Sequence, residues 1–228
     1  MNFSLTDLCV ALPEVFLLVA ACFILLIDAF VGVRYRFVTY LLVQLSLMIT
    51  FILVIFQFGK YPTPLIIFSG GYILDKLALF AKLVIYLFSF FAFIYAREYI
   101  QLRNIAKSEY YLLSLLAVLG MSIMASAYNF LTIYLGLELL SLGLYSIIAM
   151  HKESNFAIEA AMKYFVLGGL ASGLLLYGIS IIYGITGGIR LDLIANVLQS
   201  QPNVVAIVGL IFVLAGLIFK FGAVPFHM

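Results

Sequence analysis

The sequence predicts an all-α integral membrane protein, a polytopic bundle of about seven transmembrane helices. Three observations carry that prediction. Of the 228 residues, 66% are hydrophobic and only 10% are charged, with a mean hydropathy of +1.24; a soluble domain carries roughly 25% charged residues. Many of the apolar runs reach the ~20 residues that one helix needs to cross a bilayer core. The runs also fail to alternate polar with apolar residues, as the shorter strands of a membrane barrel would.

The first run, about Leu12 to Val33, is read as a retained helix. The preceding MNFSLTDLCVAL contains no Lys or Arg, so the basic region of a cleavable signal peptide is missing. Glu14 and Asp28 flank this run and are expected at the interface. Cys9 and Cys22 are read as two free thiols, since a disulfide partner inside an apolar span is improbable. The second run, about Phe37 to Phe58, leads into KYPTPLIIFSGGYILD. Its two prolines and paired glycines mark an exposed loop with room for a short hairpin. The third run covers about Leu77 to Ala96. The fourth, Tyr110 to Ala127, and the fifth, Leu131 to Met150, are joined by the uncharged turn SAYNF, which makes them antiparallel neighbours. The sixth, about Ala160 to Ile185, places Gly168 four residues from Ser172 and Gly169 four from Gly173. Such small-xxx-small spacing lets another helix approach closely. After GITGGIRLDLIANVLQSQPN, the seventh run starts near Val204.

Orientation follows from the basic residues. With the N-terminus outside, Arg34, Arg36, Arg97, Arg103, Lys107 and Lys152 fall in inner loops. Lys60, Lys76 and Arg190 fall outside. The small net charge of +2 and the lack of a basic cluster argue against a nucleic-acid partner.

An ionisable group inside a bilayer costs at least ~2.5–3.5 kcal/mol, so the charges within the runs are the candidate functional residues. Glu138 lies about 10 Å below the outer end of the fifth run, counted at ~1.5 Å per residue. Lys220 lies roughly 24 Å along the seventh. Lys163 sits near the inner end of the sixth, within reach of either the interface or the bundle interior. Gly222 and Pro225 follow Lys220. Proline cannot donate to the carbonyl four residues back, so the seventh helix is expected to break between Lys220 and Pro225. Broken helices at membrane depth occur where protein or a wet cavity satisfies the backbone. Lys82, one and a half turns into the third run, and His227, near the end of the sequence, are possible additional members. His151, beside Lys152 and Glu153, reads as a solvated loop residue.

The sequence has no Cys/His cluster with metal-ligand spacing, phosphate-binding glycine loop or dinucleotide fingerprint. A carboxylate and lysines strung through a membrane are instead the material of a proton relay. Burial favours the neutral form of both groups and an opposite charge favours the ionised form. A pair that makes and breaks can therefore load and release a proton.

Three stretches resemble a known family: EYYLLSLLAVLGMSIMASAYNFLTIYLGLELLSLGLYSI, AIEAAMKYFVLGGLASGLLLYGISIIYGITG and GLIFKFGAVPFHM. They are similar to the antiporter-like proton-pumping membrane subunits of respiratory NADH:quinone oxidoreductase. GLELLSL fits best the N-type chains, the counterparts of mitochondrial subunit 2. The resemblance implies proton-translocation roles for Glu138 in the fifth helix, Lys163 in the sixth and Lys220 in the broken seventh. It implies one transmembrane domain over 1–228, with three peripheral helices in 1–109 and the start of a first inverted repeat in 110–228. The family pattern continues with lysines in an eighth and a twelfth helix, beyond residue 228, so a longer chain is expected. The resemblance further implies that NADH, flavin, iron–sulfur clusters and quinone belong to other subunits and that this chain binds no cofactor. Its expected partners are neighbouring membrane-arm subunits and lipid, in a bacterial inner membrane or alternatively a mitochondrial one. Two other readings remain open: a subunit of a related cation/proton antiporter, and a non-transporting scaffold whose membrane charges only pin helix register.

Overall fold

The computed structural model describes residues 5–31, 36–61, 63–102, 108–200 and 204–224. Its elements are α1 (Leu5–Val10), α2 (Leu12–Val31), α3 (Arg36–Lys60), β1 (Leu65–Ile67), β2 (Tyr72–Leu74), α4 (Lys76–Leu102), α5 (Ser108–Ala125), α6 (Phe130–Ile148), α7 (Asn155–Thr186), α8 (Leu191–Ser200) and α9 (Val204–Lys220). Among the described residues, helices α2 to α7 are the 6 that are long and apolar enough to cross a membrane. Helix α9 is a further apolar helix of 17 residues, about 25 Å long. The all-α membrane bundle expected from the sequence is thus present.

Local chemistry explains where the helices begin and end. Pro13 cannot donate to the Cys9 carbonyl, and the chain turns between α1 and α2. Buried Gln57 from α3 fills the gap, donating to Val10 O at 2.9 Å and Cys9 O at 3.4 Å. Asp75 caps α4 by accepting from Ala78 N at 2.7 Å, and Asn129 caps α6 by accepting from Thr132 N at 2.7 Å. Gly187, with φ 68°, ends α7 in the left-handed region, where glycine carries no Cβ penalty.

Two short elements were not foreseen as helices. Neither α1 nor α8 is long enough to span. Helix α8 is amphipathic, burying Ile194 with Leu198 packed beside it in the core formed by α6, α7 and α9. The foreseen hairpin is real. Strands β1 and β2 pair antiparallel, with Leu65 opposite Leu74 and Ile67 opposite Tyr72.

The hairpin also ties down the neighbouring connections. Ile73 N donates to Ser126 O at 2.8 Å, and Tyr128 N donates to Gly71 O at 3.1 Å. On the other side of the α5–α6 turn, Phe130 N donates to Ile189 O at 3.1 Å, and Asn129 bridges Arg190. Three connections therefore meet at one end of the bundle. That is what alternating, antiparallel spans require.

Close helix contacts come from glycines that lie backbone to backbone. A Cβ on Gly120 of α5 would sit 2.7 Å from Gly136 O of α6, which confirms the antiparallel pair expected from SAYNF. A Cβ on Gly178 of α7 would sit 2.6 Å from Gly209 O of α9, and one on Gly216 would sit 2.8 Å from Ala171 O. Of the two small-residue pairs expected on α7, Gly168 and Ser172 face α6, where Tyr145 packs on Gly168 and Glu138 accepts from Ser172. Gly169 and Gly173 have nothing within 4 Å of an added Cβ, because α9 packs on the Ala171–Leu175–Gly178 face. Gly178→Leu is expected to force α7 and α9 apart at a cost of about 1–3 kcal/mol, measurable as a lower thermal midpoint in detergent.

Cys9 and Cys22 are free and lie on the exposed surface. Asp28 fits its interfacial reading, accepting from Thr39 Oγ1 and Ser108 Oγ at 2.7 Å each. Glu14 does not. It is 7% exposed, because the hairpin folds back across the ends of α2 and α4 and roofs the place where water was expected.

Candidate functional site

Glu138 and Lys220 meet inside the bundle. Glu138 stands two turns below the Asn129 cap on α6, on a face that also carries Ser141 and Tyr145. Lys220 stands in the last turn of α9. Its Nζ donates to Glu138 Oε1 at 3.1 Å and to Ser141 Oγ at 2.6 Å. Ser141 spends its own proton on Leu137 O at 2.7 Å, leaving its lone pairs free to accept from the ammonium. Ser172 of α7 donates to the same Glu138 oxygen. The Lys220 side chain is 9% exposed and that of Glu138 22%. The ring of Tyr145 lies 5.9 Å from Nζ, at the outer limit of a cation–π contact. Tyr145 is itself wedged against Gly168, where an added Cβ would collide with its hydroxyl.

Helix α9 ends at Lys220, within the stretch where the sequence placed the break. Gly222, with φ 63°, donates to Phe219 O at 2.9 Å, and Ala223 donates to Ile218 O at 3.1 Å. This paired closure is a glycine C-cap. It closes α9 in the turn that carries Lys220. Pro225 and His227 lie outside the described residues.

Of the two places within reach of Lys163, the structure chooses the outer one and does not place it against Glu138. Lys163 pairs with Glu159 at 2.5 Å on an exposed face of α7. The reason is angular. Lys163 precedes Ser172 by nine residues, about 180° around the helix at ~100° per residue, so the two cannot share a face. Lys163 and Lys220 instead border one pocket of ≈ 460 Å³, together with Ala160, Tyr164 and the Phe219–Gly222 turn. Lys220 is thus the direct partner of Glu138, and Lys163 borders the same pocket as Lys220.

Lys82 is also not a snorkelling residue. It is 0% exposed and pairs with Glu14 at 2.5 Å. Tyr72 completes a triad. Its hydroxyl accepts from Lys82 Nζ at 2.6 Å and donates to Glu14 Oε2 at 3.1 Å. Burial, then the Glu14 charge, pushes the Tyr72 phenol far above its ordinary value, so Tyr72 keeps its proton.

Sequence reading missed Ser141, Ser172 and Tyr145 as members of the first site, and Tyr72 as a member of the second. Ser141 and Tyr145 carried a usable signal, lying three and seven residues after Glu138 on one helical face. Ser172 had been noticed only for its small size.

Residues 127–228 match the family described as NADH:quinone oxidoreductase/Mrp antiporter, TM. Over its full length the chain is 47% identical to NADH-quinone oxidoreductase subunit N of Ruthia magnifica subsp. Calyptogena magnifica, aligning with 48% of that protein. The chain belongs to this antiporter-like family. It spans about half the length of the curated relatives it matches. Among solved structures, the antiporter-like chain is similar to one in respiratory complex I from Thermus thermophilus with bound aureothin. That match has a TM-score of 0.76 and 29% identity, over 94% of this chain and 45% of that one. It also shares its fold with a chain of the Mrp complex from a Dietzia species, with a TM-score of 0.73 and 17% identity over 96% and 42% of the two chains. Among the described residues no group of His, Cys, Asp and Glu is placed to hold a metal ion.

Proposed function

We propose that this chain is part of a proton-translocating membrane subunit of NADH:quinone oxidoreductase. In this reading Glu138 and Lys220 form the exchanging pair, and Lys163 is the next station across the shared pocket. The observation that carries it is the Lys220–Glu138 contact at 3.1 Å in the last turn of a helix that closes on Gly222. A buried ammonium and carboxylate stabilise each other's charge. When they part, each is driven towards its neutral form. Ser141 and Ser172 hold the pair on α6 between α7 and α9, so small shifts of α9 change the contact. Helices α5 to α9 form the beginning of the first inverted repeat, with α1 to α4 peripheral to it.

The chain's partners are neighbouring membrane-arm subunits. NADH, flavin, iron–sulfur clusters and quinone are handled elsewhere in the complex, and this chain binds none of them. It resides in a bacterial inner membrane with its N-terminus outside. An antiporter subunit is the second reading, favoured by the shared fold with the Mrp complex. The 47% identity to subunit N against 17% to the Mrp chain ranks it lower.

Lys220→Arg in the full-length protein tests the relay. Arginine keeps the positive charge and the ion pair but does not release its proton in proteins. Assembly is expected to persist while proton translocation in proteoliposomes falls on the order of tenfold, a change of ~1.4 kcal/mol in barrier. Parental pumping in Lys220→Arg would make the pair a static pin. Orientation is tested separately with a protease-cleavable tag at Met1. Cleavage is expected only from the periplasmic side, and cleavage only from the cytoplasmic side would reverse the topology.

A further inference from the structure

The relay reading leaves unused a second buried ion pair, closed by a hydroxyl and contributed by α2, β2 and α4. Glu14, Tyr72 and Lys82 are 7%, 6% and 0% exposed. Their three contacts, of 2.5, 2.6 and 3.1 Å, form a ring. A purely mechanical pin would need only the first. The Tyr72 hydroxyl accepts from the ammonium and donates to the carboxylate, which is the geometry of a one-step proton wire.

We propose that Glu14, Tyr72 and Lys82 form a second proton-exchange site, in which the Tyr72 hydroxyl passes a proton between Lys82 and Glu14. The ammonium gives one proton to the phenol oxygen as the phenol's own proton moves to the carboxylate. The N–H and phenol O–H bonds that break are replaced by a new phenol O–H and a carboxyl O–H. The products are a neutral amine, an intact phenol and a carboxylic acid. No charge is created and no co-reactant is needed. Burial makes this step accessible. Taking two charges out of water is costly, and where they are fully desolvated the uncharged pair competes with the charged one.

Two further hydroxyls lie around the site. Tyr86 of α4 faces Glu14, and Ser126, just past the end of α5, faces Tyr72. Both hydroxyls are buried without a well-formed hydrogen bond. Gln57 of α3, which donates to the Cys9 and Val10 carbonyls at the start of α2, is neutral. Lys82 lies about 9 Å into α4, counted at ~1.5 Å per residue, on the hairpin side. The hairpin, through Tyr72, covers this end of the site. The same strand holds the α5–α6 turn through Ile73 N and Gly71 O, two turns above Glu138. Neutralising the triad would loosen the attraction that anchors Tyr72 and, through it, the turn from which α6 begins.

The test uses the full-length protein in its complex, reconstituted in liposomes, with infrared difference spectra recorded across a pH titration. A protonated-carboxyl band is expected that disappears in Glu14→Gln. In Tyr72→Phe the ring and the Glu14–Lys82 contact remain, so thermal stability should be kept. Exchange of the Glu14 proton should slow at least tenfold. Lys82→Arg keeps the pair but cannot release a proton, and it should lack the band. The proposal is overturned if the parent shows no Glu14 carboxyl band at any pH. It is also overturned if Tyr72→Phe exchanges at the parental rate, or if Lys82→Arg retains the band. These readings need no turnover, so they stand or fall independently of whether Glu138 and Lys220 pump protons.

Discussion

Glu138→Gln in the full-length protein is expected to stop most proton translocation while leaving the complex assembled. Glutamine keeps the volume of the side chain and still accepts from Ser172 and Lys220, so the packing of α6 between α7 and α9 survives. The negative charge that holds the Lys220 ammonium inside the bundle is lost. The ammonium keeps neutral partners, Ser141 Oγ and the amide oxygen at position 138, but no carboxylate balances its charge. Pumping should fall on the order of tenfold or more, equivalent to at least ~1.4 kcal/mol, and coupled NADH oxidation should fall with it. Glu138→Asp should do less harm, since it keeps the acid and loses one methylene of reach. Measuring the proton-to-electron ratio and rate in proteoliposomes decides the matter. A normal ratio and rate in Glu138→Gln would make this carboxylate structural.

Lys82→Met is expected to cost more stability than any substitution at the Glu138 site. It leaves Glu14 charged and buried with only the Tyr72 hydroxyl, and breaking a buried pair from one side costs ~3–5 kcal/mol. The same change at Lys220 should cost less, because Glu138 is 22% exposed where Glu14 is 8%. Removing both partners should be far milder than removing one. The double variant Glu14→Gln with Lys82→Met should therefore recover much of the loss, and the thermodynamic cycle over the four proteins should show a coupling of several kcal/mol. Thermal unfolding of the detergent-solubilised complex reads this out. Additive losses would mean that the two side chains are not energetically paired.

Composition and run length determined the membrane character of the chain. They also placed its spans to within a few residues, because the bilayer allows few alternatives to a ~20-residue apolar helix. The uncharged SAYNF turn determined that α5 and α6 are antiparallel neighbours. Gly222 and Pro225 marked the end of α9 beside Lys220. The cost of burying charge singled out Glu138 and Lys220 without any knowledge of packing.

Which charges meet was decided only by the tertiary structure. Counting residues from the helix starts put Glu138 and Lys220 at different depths, yet they touch. Distance along one helix says nothing of how far its neighbour is shifted or tilted. Lys163 lay at a plausible depth for Glu138, but its angle on α7 turns it about 180° from Ser172. Glu14 read as an end-of-helix residue with access to water, and Lys82 as a possible additional member of the relay. The hairpin, whose strands pair Ile67 with Tyr72, folds over both and brings a hydroxyl between them. A one-dimensional pattern records depth and face within one segment. The partner of a buried charge is set by which segments lie side by side, and by what covers their ends.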